Sequence, residues 1–136
     1  MAYSMDKLTT VAECDAVLTV AEKEKKNLEF RKTSLERQKE SYAANSVEID
    51  ADLAATDAEV TALQTVVATL PVGDARDANE TRLKRLELKK FLLTQRDKDY
   101  GGVALLVREF DLERATKELE EADAFIVAVN SRKAAI

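Results

Sequence analysis

The chain has no histidine and no tryptophan, one cysteine, one proline and three glycines in 136 residues. Each shortage excludes something. Without histidine the commonest general base is missing, along with the usual zinc and haem ligand and the Glu-x-x-His pairs of di-iron bundles. A lone cysteine, Cys14, cannot build an intramolecular disulfide framework. A reducing, cytoplasmic setting, or a place inside a larger particle, is therefore the expectation. No apolar run reaches the length of about 18 residues that marks a membrane-spanning helix. The opening Met1-Ala2-Tyr3-Ser4 has no basic flank leading into an apolar stretch, so no secretory signal is expected there. No Gly-rich phosphate loop occurs.

What is present points to helix. Hydrophobic residues make up 46% and charged residues 35%, against 5% aromatics, a mixture suited to long solvated helices. The breakers sit at two places only, Pro71–Gly73 and Gly101–Gly102. A net charge of −5 argues against nucleic acid or an anionic membrane surface as the partner, since both need local positive charge.

One heptad seam runs from Val11 to Leu70 without a change of phase, through Cys14, Leu18, Ala21, Leu28, Leu35, Tyr42, Ile49, Leu53, Val60, Leu63 and Val67. Lys25, Lys32, Lys39, Ser46 and Thr56 interrupt it. Asn45 with Glu48 resembles a capping box that would start a new helix. The unbroken phase argues for one helix across it. Pro71 then ends the first arm, and Asp74 is placed to cap the second, with Asp77 and Glu80 near its positive end. The second arm carries Leu83, Leu86, Leu93 and Tyr100, with Lys90 and Asp97 interrupting. After Gly101–Gly102 it continues through Leu105, Leu112, Ala115, Leu119, Ala122, Ile126 and Val129, shifted by one residue. Each glycine costs about 1 kcal/mol inside a helix, so a kink or break is expected there.

These features predict an all-α fold in one domain, residues 1–136. It is a long antiparallel coiled-coil helical hairpin with arms at about 5–70 and 75–134 and a turn at 71–74. A kink or break is expected near 45–46 and 101–102. The alternative is a compact four-helix bundle, folded over at those two weak points, which lie at one level. Charge supports antiparallel pairing. Lys23–Lys39 holds seven basic and three acidic residues; the facing Arg108–Ala124 holds three basic and seven acidic. Glu40–Leu70 holds six acidic residues and no basic one, opposite seven basic and two acidic in Arg82–Lys98. Parallel pairing would set like against like. The seam lysines are expected to lay their stems over small partners, Lys25 over Ala122 and Lys32 over Ala115, with the ammonium in water. Lys39 faces Arg108 less comfortably.

Candidate chemistry is thin. Cys14 reads as a packed small hydrophobe, with Lys133 the only base expected beside it. Asp97-Lys98-Asp99-Tyr100-Gly101-Gly102 opens like a calcium loop, but Arg108 stands where the twelfth-position acid belongs. Asp50, Asp52, Asp57 and Glu59 read as a solvated face paired with Arg96, Lys89 and Lys90. The basic run Arg82, Lys84, Arg85, Lys89, Lys90 lacks the aromatic interleaving of a nucleic-acid site. No catalytic, metal or cofactor site is expected.

The informative leftover is apolar residues off the seam. Leu88, Phe91 and Leu92 form one flank; Val103, Leu106 and Phe110 form another; Phe30 stands alone in a charged stretch. A two-helix hairpin cannot bury them all, so they are the candidate contacts with other copies or other protein subunits. The expected role is a non-enzymatic scaffold, spacer or connector that self-associates or docks. Viral scaffolding and virion components include small acidic helical proteins of this shape. The alternative is an adaptor or chaperone-like helical module with an exposed apolar strip.

Overall fold

The computed structural model describes residues 3–136, and among them every regular element is helical. A short 3₁₀ turn at Met5–Lys7 precedes three α-helices: α1 (Val11–Thr69), α2 (Asp74–Tyr100) and α3 (Gly102–Ala135).

The first arm begins at Val11, where its heptad seam begins, and not at about residue 5. Residues 5–7 form the 3₁₀ turn, and α1 starts at Val11 because Thr10 caps it. The Thr10 hydroxyl accepts the Glu13 backbone N–H at 3.2 Å, and the Glu13 carboxylate reaches back to the Thr9 N–H at 3.5 Å. This is one half of a capping box: the Thr10 hydroxyl satisfies the Glu13 N–H, a donor that the first helical turn otherwise leaves orphaned, while the carboxylate holds the N–H one residue before the cap. The Asn45-to-Glu48 signal, by contrast, starts nothing. α1 runs through it without interruption, so no break exists at 45–46.

Pro71 closes the first arm as its missing donor requires. The cap of α2 differs from expectation. Gly73 is the N-cap residue, and its carbonyl accepts the Asp77 N–H at 3.1 Å. Asp74 is already the first helical residue, and with Asp77 it places negative charge in the first turn. Gly73 has φ 157° and ψ −173°, a region that side chains with a Cβ avoid. The second arm is two helices, separated at Gly101.

The chain forms two compact units. Residues 1–38 with 108–136 make the first, and residues 39–107 make the second. In the first unit the α1 and α3 segments run antiparallel. Lys25 pairs with Asp123 at 2.8 Å and Lys133 with Asp15 at 2.6 Å. Cys14, Leu18 and Val129 are buried together, with Met5, Leu8, Phe125 and Ile126 packed around them. The 3₁₀ turn is held over this cluster by Arg132, whose Nε donates to the Leu8 carbonyl at 2.9 Å. In the second unit α1 and α2 segments are also antiparallel. Lys90 pairs with Asp57 at 2.6 Å, the Tyr42 and Tyr100 rings lie 5.6 Å apart, and Arg96 donates to the Asn45 side-chain oxygen at 3.4 Å.

Among the described residues every buried apolar side chain lies on the heptad seam: Cys14, Leu18, Ala21, Leu35, Ile49, Val60, Leu63, Ala115 and Val129. So do the two buried polar residues, Ser46 and Thr56. Both have small side chains that fit between helices. Four seam residues depart from the pattern. Val11 is 44% exposed because it is the first residue of its helix, Tyr100 is 43% exposed at the end of α2, and Lys39 and Lys90 are exposed. Lys25, expected to end in water, ends on a carboxylate, whereas the Lys90 pairing with the acidic cluster is the expected one. Lys25, Lys90 and Lys133 each reach an aspartate that immediately follows the seam residue opposite: Asp123 after Ala122, Asp57 after Thr56, and Asp15 after Cys14.

Candidate functional site

α2 is the helix that its own unit covers least. None of its residues is buried. Leu83, Leu86 and Leu93 are half-buried on the seam, while Leu88, Phe91 and Leu92 are each 58% exposed. Spacings of three and four put these last three on one helix face. Lys84 and Arg85 lie one turn earlier on that face, and Lys89 lies beside it. All three bases are exposed, and none has an ion-pair partner among the described residues. The acidic cluster on α1 was expected to engage Lys89, Lys90 and Arg96. Only Lys90 does so, through Asp57. Arg96 turns to Asn45 instead.

The first turns of α3 expose a second strip in the same unit. Val103 and Leu106 are joined there by Val107, which the sequence reading left out and which is 51% exposed. Its spacing of four from Val103 was the available signal. Phe110 belongs to the first unit and is exposed, with the Arg114 guanidinium 5.7 Å from its ring centroid. That contact explains part of its placement without a partner. Phe30 is 78% exposed and touches no other ring.

A further feature lies wholly within the first unit. An apolar groove of about 630 Å³ opens between α1 and α3. Ala16, Val17, Val20 and Ala21 line one wall, Ala122 and Phe125 the other, and Tyr3 closes one end. The Tyr3 ring stands edge-on to Phe125, with centroids 4.8 Å apart, and its hydroxyl donates to the Glu121 carboxylate. That hydrogen bond, with burial and the carboxylate charge, raises the Tyr3 pKa above the usual phenol value. The only charged residues lining the groove are Glu24 and Glu121. Sequence reading missed the groove because its depth comes from alanines, which carry no strong pattern. The off-seam Val17 and Val20 were the legible part.

Polar chemistry is sparse. Among the described residues no three His, Cys, Asp or Glu side chains gather as metal ligands would. The Asp97–Gly102 stretch is the end of α2 and the start of α3, not a coordinating loop. Cys14 is buried in the Leu18–Val129 cluster. Lys133, the base expected near it, is held by Asp15. That hydrogen bond and ion pair raise the Lys133 pKa above its ordinary value of 10.5. Asp123 does the same to Lys25. Among the described residues no helix is long and apolar enough to cross a membrane.

No family model, curated protein or solved structure matches the chain.

Proposed function

We propose that this chain is a non-enzymatic structural or assembly protein, an antiparallel helical hairpin that works as a scaffold, spacer or connector by associating with further copies of itself. The observation that carries the reading is α2: a helix of 27 residues with none buried and with Leu88, Phe91 and Leu92 turned outward. Contiguous apolar surface left open on a helix is the usual mark of a protein contact. The hairpin draws support from the Lys–Asp pairs within each unit, which follow the antiparallel register of the seam to within one residue.

Sedimentation velocity combined with small-angle scattering tests both parts. Association into species heavier than the 15.1 kDa chain is expected at micromolar concentration. A clean monomer up to ~100 μM, where even weak specific complexes form, refutes self-association. A maximum dimension of about 50–60 Å selects the compact four-helix bundle over the hairpin.

The open groove between α1 and α3 favours a second reading, an adaptor or chaperone-like module that holds a client helix. Strong binding of an environment-sensitive dye to an isolated monomer distinguishes that module from an oligomer whose apolar faces are already closed.

A further inference from the structure

The groove of the first unit and the strip of the second are opposite in shape and in charge. The groove is concave and apolar, and the charges lining it are the carboxylates of Glu24 and Glu121. The strip is convex and apolar, and its nearest charges are Lys84, Arg85 and Lys89 with the single acid Glu87, a positive balance; none of the three bases has an ion-pair partner among the described residues. The small Ala16, Ala21 and Ala122 side chains let a third helix approach both walls, as ridges-into-grooves packing requires. Two leucines and a phenylalanine from adjacent turns are a fitting load for about 630 Å³. The Val103–Leu106–Val107 strip is the poorer candidate, because Arg108, Glu109 and Asp111 follow it with mixed sign.

We infer that the Leu88–Phe91–Leu92 face of one copy seats in the α1–α3 groove of a second copy, with Lys84, Arg85 and Lys89 beside Glu24 and Glu121. The inference rests on the self-association reading and names its surfaces. The contact is heterologous, since a strip meets a groove rather than another strip. Growth through this contact therefore stops only when a ring closes, the smallest ring being two copies that exchange strip and groove reciprocally. Opposed charges at the contact also make association salt-sensitive.

A mixing experiment decides it. Phe91→Glu removes the strip and leaves the groove intact. Val20→Glu removes the groove and leaves the strip intact. Val20 is 64% exposed, so its replacement does not disturb the packed seam. Should Val20→Glu lose helical circular dichroism, Ala16→Glu blocks the same wall. Each variant alone is expected to sediment as a monomer. Their equimolar mixture is expected to form a species of twice the 15.1 kDa chain mass and no larger, because only one intact strip and one intact groove remain. Added salt is expected to weaken wild-type association severalfold. A mixture that stays monomeric overturns the heterologous contact, and so do variants that associate like the wild type; in both cases self-association itself stands. A monomeric wild type overturns both readings.

Discussion

Two adjacent glycines make opposite predictions. Gly101 is buried and breaks the second arm; its N–H donates to the Asp97 carbonyl at 2.8 Å. A methyl group built there runs into that same carbonyl oxygen and into the Asp97 carboxylate. The carboxylate can swing away. The carbonyl cannot, because it is fixed by the last turn of α2. The methyl group must therefore distort the cap, at about 1–3 kcal/mol, the usual cost of local backbone strain. Gly102 is exposed and is the first residue of α3, and a methyl group there meets nothing within 4 Å. Gly102→Ala should stabilise by about 0.4–1 kcal/mol, by restricting the unfolded chain and raising helix propensity. For a chain of this size 1 kcal/mol moves Tm by roughly 3–5 °C. Thermal melts followed at 222 nm should thus show Gly102→Ala above the wild type and Gly101→Ala several degrees below it. A neutral or stabilising Gly101→Ala would refute the reasoning. It would mean that residues 97–105 can run as one helix and that the one-residue shift of the seam needs no break.

Two further predictions come from the packed interior and from the lysine pairs. Ile49 is fully buried on the seam of the second unit; Ile49→Ala should cost about 2–5 kcal/mol and Ile49→Val about 0.5–1.5 kcal/mol in urea unfolding, whereas equal losses would mean that the site collapses around the smaller side chain. Lys25, Lys133 and the Tyr3 phenol all have pKa values raised on folding, so the protonated form of each is favoured by the folded state and its contribution is complete below the ordinary values near 10. That contribution disappears as pH climbs through the raised values, and the helix signal of the wild type should therefore weaken at strongly alkaline pH more than that of a Lys25→Gln, Lys133→Gln, Tyr3→Phe triple variant.

The seam was legible because burial between two helices imposes a strict period. Any residue that breaks the period leaves the interface, which is why Cys14, Ile49, Val60 and Ala115 could be placed from sequence. Continuity through Asn45 was legible for the same reason: the phase outweighed the local capping signal. The start of α1 was not. The arm was expected from about residue 5, but Met5–Lys7 is a 3₁₀ turn, Met5 and Leu8 pack against the Cys14 cluster, and the Thr10 cap on Glu13 starts α1 at Val11, where the seam itself begins. Asp74 was misplaced by one position because the turn needs Gly73 in a conformation that aspartate avoids. Exposed strips are simple to find, since any apolar residue off the period qualifies. The groove depends on the absence of side-chain volume at Ala16, Ala21 and Ala122, and sequence periodicity does not register an absence.

The charge blocks do more than choose an orientation for the helices. Arg82–Lys98 carries seven basic residues opposite a segment of α1 with no base and six acids. Only two of those seven are used within the unit: Lys90 by Asp57, and Arg96 by the neutral Asn45. One ion pair between exposed side chains contributes little, so pairing with α1 does not account for the other five. Lys84, Arg85 and Lys89 instead lie on or beside the face that holds Leu88, Phe91 and Leu92. Unused positive charge and uncovered apolar area thus coincide on one side of one helix, on a chain whose net charge is negative. Three of the four charges that border the face are positive, Lys84, Arg85 and Lys89 against Glu87, so it favours an acidic partner surface over a second copy of itself. Under the proposed self-association, that bias favours strip-in-groove over strip-on-strip contact.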